Sequence, residues 1–238
     1  MKKYNVLLIS LLIGFNLAAQ TSSTFELDLL LGKKEIPPSA EGYTLLSEVA
    51  TAFQKMQTAA LNDGIEIKIV SSFRSYASQK GIWNKKYKRF KNQGLTGPEA
   101  IAKIIEYSTL PGTSRHHWGT DIDIIEGSKK IEGDVLLEKH FHNGPYQELS
   151  QWLKTNANSY GFDLVYTQDS LRKGFFYEPW HYSYTPLSKE FLQLYITQQL
   201  ISTIKKDSTL LGNEFITAEF LNDYYQNNVL GINPNLLK

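Results

Sequence analysis

Residues 114–123 place imidazole and carboxylate groups within a single passage from loop to strand. After Gly119 the sequence alternates, which predicts a strand with Asp121 and Asp123 on one face. Because Gly119 permits a sharp change of chain direction, His116 and Asp123 can converge although they are seven residues apart. Imidazole and carboxylate groups both bind zinc. The stretch therefore indicates part of a metal site, with a charged loop beside an edge strand as the alternative.

A second cluster, residues 178–181, has the sequence Glu-Pro-Trp-His and follows about 60 residues later. Catalytic zinc sites use three protein ligands, an open fourth position for water and a nearby base that takes the proton of the water. His181 completes a set of three ligands with His116 and Asp123, and Glu178 is the candidate base. The two clusters together favour a catalytic metal site over a solvated loop.

The pattern Ser-x-His-x6-Asp followed by Glu-x-x-His resembles the VanY-type D-alanyl-D-alanine carboxypeptidases. These belong to the wider group of lysostaphin, D-Ala-D-Ala metallopeptidases and hedgehog proteins. The likeness covers about residues 41–186 and includes further blocks at residues 72–76, 111–114 and 152–162. It implies one zinc ion per chain, held by His116, Asp123 and His181, with Glu178 as the base. It also implies three substrate-binding residues, namely Arg74, Gln79 and Ser114.

Three positions depart from the usual residues of that family. Asp121 stands where alanine is usual, Phe73 where tyrosine is common, and Ser183 where many members have arginine. Asp121 is a second carboxylate two residues from the proposed ligand Asp123, and Ser183 changes the far side of the expected cleft.

The resemblance implies a zinc-dependent carboxypeptidase that removes a C-terminal D-alanine from peptidoglycan stem peptides, with D,D or L,D specificity. Arg74 would hold the terminal carboxylate, because a guanidinium fork matches a planar carboxylate. Two alternatives are a zinc endopeptidase that cleaves peptidoglycan crosslinks and a non-catalytic, zinc-stabilised cell-wall binding module. The presence of Glu178 argues against the binding module.

The pattern of elements predicts an α+β fold. Hydrophobic spacing predicts a helix within residues 41–62, and alternation predicts a strand at residues 65–70. Two long helices are expected after the family-like region, at residues 187–206 and 215–229. The element order gives no regular βαβ alternation, and the resemblance implies a small, mainly antiparallel sheet with flanking helices.

Residues 1–19 have the three-part plan of a secretory signal peptide, with Lys2 and Lys3, an apolar run and two small residues. Residues 20–238 are then expected to form one zinc peptidase domain, with a helical extension at residues 187–238. The chain has no cysteine, which excludes a disulfide and a lipidated amino terminus. We expect an exported protein, periplasmic or extracellular, without a membrane span.

The charge balance gives no indication of a nucleic-acid partner. The chain has 25 basic and 24 acidic residues, and loss of Lys2 and Lys3 changes the net charge from +1 to −1. The expected partner is the peptidoglycan stem peptide, and no obligate protein partner is evident. His117, His140 and His142 are expected to be exposed histidines that bind no metal.

Overall fold

The computed structural model describes residues 27–40 and 42–237, so the predicted signal peptide lies outside the described residues. The α-helices of this part include α1 (Ser47–Asn62), α2 (Tyr76–Asn92), α3 (Gly97–Ile104), α4 (Glu138–Phe141), α5 (Gln147–Asn156), α6 (Thr185–Thr197) and α7 (Ala218–Tyr224). The strands are β1 (Ile67–Ser71), β2 (Asp121–Glu126), β3 (Phe162–Leu164) and β4 (His181–Tyr184).

The four strands form one sheet in the order β1-β2-β4-β3, and every neighbouring pair is antiparallel. Helices flank this sheet, so the α+β prediction with a small antiparallel sheet is confirmed. The central strands β2 and β4 lie more than 50 residues apart in sequence, and two helices, α4 and α5, together with β3, lie between them along the chain. The pairing of β2 with β4 therefore depends on contacts between residues that are far apart in sequence.

One hydrophobic core lies between the sheet and helices α1 and α5. The apolar positions whose spacing predicted this helix are buried in it: Leu45, just before α1, and Val49, Phe53, Met56 and Ala60 within α1. Ile122 and Ile124 of β2 enter the same core, so the alternating aspartates of β2 face the other side of the sheet. Each large apolar side chain buried here contributes about 1.5–3 kcal/mol to folding.

A second core joins α2, α3 and α6 to the C-terminal region. Local signals start two of these helices: Ser75 caps α2 by accepting from the backbone N–H of Ser78, and Thr96 forms a capping box with Glu99 at the start of α3. Trp83 of α2 is fully buried in this core. On the side of the sheet that carries the aspartates of β2, side chains of α2 line a cleft.

The two C-terminal helices are shorter than the sequence predicts. The helix predicted over residues 187–206 ends at Thr197; Gln199 has a left-handed backbone with φ of 49°, and a 3-10 helix follows at Leu200–Lys206. This break lets Leu200 enter the second core, and Ile204 is buried as well. The helix predicted over residues 215–229 is the shorter α7, continued by a π-helical turn at Tyr225–Val229.

Within residues 27–40 and 42–237, none of the helices combines the length and the hydropathy that a bilayer span requires.

Candidate metal centre and cleft

Strand register brings the two predicted clusters together. His116 lies in a 3-10 turn, Arg115–Trp118, that ends at Gly119 with a left-handed φ of 68°. The chain then enters β2, where Asp123 lies directly opposite His181, the first residue of β4. The turn before β2 and the pairing of β2 with β4 therefore place His116, Asp123 and His181 side by side.

The three side chains are buried and converge on one point. The nearest ligand atoms are His116 Nε2 and Asp123 Oδ2, 3.3 Å apart, while His181 Nδ1 lies 4.0 Å from Asp123 Oδ1. One ligand atom from each residue lies within 4.8 Å of the other two. Ligand atoms around one tetrahedral zinc ion lie about 3.4 Å from each other. The cluster can hold a metal ion with small side-chain adjustments.

An orphaned oxygen supports this fit. Asp123 Oδ1 is buried and has no hydrogen-bond partner among the described residues. A buried carboxylate oxygen without a partner is costly, and a cation between His116 and His181 would satisfy it. The donor set, two imidazoles and one carboxylate, is that of a catalytic zinc site.

Hydrogen bonds on the far side of each ring show which nitrogen faces Asp123. His116 Nδ1 lies 2.8 Å from the carbonyl oxygen of Ser72, so its N–H donates there and leaves Nε2 as the ligand atom. In His181 the other nitrogen faces the cluster: Nε2 lies 3.0 Å from Asp121 Oδ2, while Nδ1 lies 4.0 Å from Asp123 Oδ1 and 3.0 Å from Glu178 Oε2. The structure thus distinguishes the two aspartates, with Asp123 among the ligand atoms and Asp121 behind the His181 ring.

Charges around the cluster shift the pKa values of its members. Burial alone would raise the pKa of Asp123, but the nearby His116 and His181 rings and Arg74 lower it to about 2. Burial alone would lower the pKa of His181, but hydrogen bonds to Asp121 and Glu178 raise it to about 10. A metal ion at Nδ1 must therefore displace a proton from this ring.

Glu178 lies beside the ligand cluster. It is 7% exposed, and its Oε2 is 3.0 Å from His181 Nδ1, the nitrogen that faces Asp123. A tight turn, in which the backbone N–H of His181 donates to the Glu178 carbonyl, holds the two residues together at the start of β4. A carboxylate in this position can take a proton from a water molecule next to the three ligands.

Arg74 approaches the cluster from the end of β1. Its Nη2 lies 3.9 Å from Asp123 Oδ2 and donates to Ser71 at 2.8 Å, while its Nη1 donates to Gln79 at 3.0 Å. Gln79 is buried, and its side-chain nitrogen donates to the Thr109 carbonyl at 2.8 Å. Both ends of the Gln79 amide are thus used within the protein, and this residue holds Arg74 in place.

These residues open on a cleft of about 510 Å³, large enough for a small peptide. Residues from several separate parts of the chain line it, including Arg74, Ser114, His116, Asp123, Glu178 and His181. The predicted site residues therefore share one cavity, apart from Gln79, which lies behind Arg74.

The family model for VanY D-alanyl-D-alanine carboxypeptidase matches residues 42–187. The chain belongs to the VanY family. It is 27% identical over 151 residues to a D-alanyl-D-alanine carboxypeptidase of Enterococcus faecalis, covering 63% of this chain and 52% of that protein. It is 32% identical over 139 residues to the putative carboxypeptidase YodJ of Bacillus subtilis, covering 58% and 45%. The chain thus spans about half the length of these curated relatives.

Two solved structures are similar to this fold. One is a mutant of the vancomycin resistance D,D-pentapeptidase VanY in complex with Zn(II), with a TM-score of 0.50 at 25% identity over 64% of this chain and 83% of that one. The other is VanYB in complex with D-alanine-D-alanine, with a TM-score of 0.51 at 25% identity over 69% and 88%.

His117 differs from its sequence-based prediction, because it is completely buried. Its Nδ1–H donates to the Arg74 carbonyl at 2.5 Å, and its Nε2 accepts from the backbone N–H of Gly112 at 3.0 Å. Burial lowers the pKa of His117 to about 3. The neutral ring therefore ties Arg74 to the loop before Ser114. The sequence His116-His117 contains nothing that predicts which of the two rings is buried, so the structural role of His117 could not be predicted from it.

The C-terminal extension, which lies beyond the VanY family match, also contacts the loop at residues 110–114, next to the cleft. The Tyr224 hydroxyl accepts from the backbone N–H of Leu110 at 3.0 Å and donates to Thr113 Oγ1 at 2.9 Å. The Tyr195 hydroxyl donates to the Gly112 carbonyl at 2.9 Å. The extension thus supports the loop that leads to Ser114.

Tyr224→Phe is expected to lower the free energy of unfolding by about 1–3 kcal/mol, because the buried N–H of Leu110 loses its acceptor. Chemical denaturation followed by circular dichroism measures this change. Tyr225→Phe is the matched control, since the hydroxyl of this half-buried neighbour makes no hydrogen bond to the described residues. Equal stability of the two variants would contradict a supporting role for Tyr224.

Proposed function

We propose that this protein is a zinc-dependent carboxypeptidase that removes a C-terminal D-alanine from peptidoglycan stem peptides. The observation that carries the proposal is the arrangement in one cleft of a buried three-ligand cluster, a carboxylate and a guanidinium. Glu178 lies 3.0 Å from the ligand nitrogen of His181, and Arg74 lies 3.9 Å from Asp123. Membership of the VanY family and its similarity to a Zn(II) complex support the choice of metal.

His116, Asp123 and His181 would hold one zinc ion per chain. Zinc bound there would polarise the scissile carbonyl and lower the pKa of a bound water molecule to about 7. Glu178 takes the proton of the attacking water and passes it to the leaving amine, as a general base and then a general acid. The position of its Oε2 next to His181 Nδ1 suits both transfers.

Arg74 binds the terminal carboxylate of the substrate. Its two hydrogen bonds to Ser71 and Gln79 fix the guanidinium plane, which reduces the entropy lost when a carboxylate binds. Arg74 lies 3.9 Å from Asp123, so a carboxylate bound to Arg74 would lie close to the proposed metal site, which supports cleavage next to the C-terminus. Ser114 lines the same cleft and can hydrogen-bond the peptide, while Gln79 acts by orienting Arg74.

The substrate would be met outside the cytoplasm. Stem peptides are part of the cell wall, and the predicted signal peptide at residues 1–19 would direct the protein there. The structures related to this fold include one in complex with D-alanine-D-alanine, which is consistent with a peptide ending in D-alanine.

Arg74→Ala tests the carboxypeptidase assignment. We expect kcat/KM to fall by roughly 2 to 4 kcal/mol in transition-state free energy, about 30- to 900-fold, because a charge-assisted contact is lost. The assay is mass spectrometry of defined muropeptides after incubation with zinc-loaded protein. Arg89→Ala is the matched control, since Arg89 also lines the cleft but is exposed to solvent.

Amidation of the substrate terminus provides the complementary test. It should cost the parent enzyme a similar factor, and the variant should lose little more on the amidated peptide, because each change removes the same pair. Equal cleavage of free and amidated peptides by the parent would reject the carboxypeptidase and favour an endopeptidase.

A further inference from the structure

Behind the His181 ring lies a buried polar unit centred on Asp121, which is fully inaccessible to solvent. Four side-chain donors converge on its carboxylate. Arg115 Nε and His181 Nε2 lie 2.9 Å and 3.0 Å from Oδ2. The hydroxyls of Ser183 and Thr120 donate to Oδ1 at 2.6 Å and 2.8 Å. We call these residues the Asp121 unit.

Only an ionised carboxylate satisfies this arrangement. An ionised carboxylate accepts hydrogen bonds on both oxygens. An amide or a protonated acid has an N–H or O–H of its own, which would point at one or more of the four donors. The carboxylate therefore requires a proton on His181 Nε2. A neutral ring with Nε2 protonated has its lone pair on Nδ1, which is the nitrogen that faces Asp123 and Glu178.

Arg115 keeps this carboxylate charged and in place. Arg115 is 4% exposed, and its guanidinium donates to Ser183 at 2.7 Å as well as to Asp121 and lies over the Trp118 ring, 4.7 Å from the ring centroid. Ser183 in turn lies directly opposite Asp121 in the pairing of β2 with β4. The unit is therefore built across both strands that carry the proposed ligands.

We propose that Asp121 is a positioning residue for the metal site: it orients the His181 imidazole so that Nδ1 faces the metal. The inference rests on the zinc site of the proposed function and extends it to a residue that does not touch the metal. Outer carboxylates that accept from a ligating imidazole hold its orientation and raise its basicity.

Zinc affinity, measured by competition with a chromophoric chelator, tests the role of Asp121. Asp121→Ala is expected to weaken zinc binding by about 10- to 100-fold, the range for losing an outer hydrogen-bond partner of a ligand. Asp163→Ala is the control: Asp163 is a buried carboxylate on β3 bonded to Asn158 and Thr185, and its loss should leave zinc affinity unchanged.

A double variant separates orientation from charge and from folding. Asp121→Ala alone leaves Arg115 buried without its partner, which destabilises the protein, and it also removes a negative charge near the metal. Asp121→Ala combined with Arg115→Met keeps the net charge of the parent and removes the unpaired guanidinium. If Asp121 orients His181, the double variant should bind zinc as weakly as expected for Asp121→Ala. Affinity equal to that of the parent would overturn the inference.

Nuclear magnetic resonance gives a second readout. In the zinc-loaded parent the Nε2–H proton of His181 should exchange slowly with solvent, because it is buried and donates to Asp121; in the folded double variant the exchange should be faster. Unchanged exchange would contradict the inference. If the parent protein binds no zinc, the proposed function is overturned. If the parent binds zinc and the double variant binds it with the same affinity, only the role of Asp121 is overturned.

Discussion

Glu178→Gln is expected to keep zinc and the native fold while its rate of peptide hydrolysis falls by at least about a hundredfold, the low end for loss of a general base. Glutamine has nearly the same shape, but it cannot accept the proton of the attacking water. Its amide can still occupy the place beside His181 that the carboxylate holds at 3.0 Å. Elemental analysis, circular dichroism and single-turnover cleavage of a defined muropeptide measure the three properties.

Glu138→Gln is the matched control for this prediction. Glu138 also lines the cleft, but it is exposed and bonded to Gln168 at 3.1 Å. Its replacement should leave hydrolysis close to the parent rate. Near-normal turnover of Glu178→Gln would show that another group is the base. An inactive parent that still binds cell-wall peptide would favour the binding module.

Asp123→Ala is expected to abolish stoichiometric zinc binding, and hydrolysis with it. Asp123 lies between the two histidines, with one oxygen 3.3 Å from His116 and the other 4.0 Å from His181. Two imidazoles alone fall short of the three protein ligands of a catalytic zinc site. The affinity loss should therefore exceed the roughly hundredfold upper limit expected for an outer partner such as Asp121.

Metal content of the purified protein and chelator competition measure this loss. The parent should contain one zinc ion per chain, and Asp163→Ala should match it. Loss of metal in Asp121→Ala together with retention in Asp123→Ala would reverse the assignment of the two aspartates.

Asp121 and Ser183, two of the positions that differ from the usual family residues, contact each other in the structure. These two residues lie opposite each other in adjacent strands and hydrogen-bond at 2.6 Å. Arg115 contacts both of them, so a guanidinium is present at this place although it does not come from β4. Arg115, which comes from the turn that precedes β2, also lines the cleft.

Much of the candidate site follows from the sequence alone. The residue types in the two short clusters identify the candidate metal ligands. The Glu-x-x-His spacing of the second cluster puts Glu178 within one turn of His181. Alternation separates the apolar face of β2 from the face that carries the aspartates, because successive side chains of a strand point to opposite sides. The apolar side of α1 was predicted for the same reason, since helical periodicity is a local property.

What the tertiary structure decided depends on contacts between distant segments. Asp121 and Asp123 share one strand face, so no local pattern distinguishes the proposed ligand from the proposed outer partner. The register with β4, about 60 residues away, places His181 opposite Asp123. The burial of His117 and the break at Gln199 are set in the same way, by packing partners far along the chain. Sequence periodicity determined which side chains share a face of their helix or strand, and strand pairing determined which of them meet.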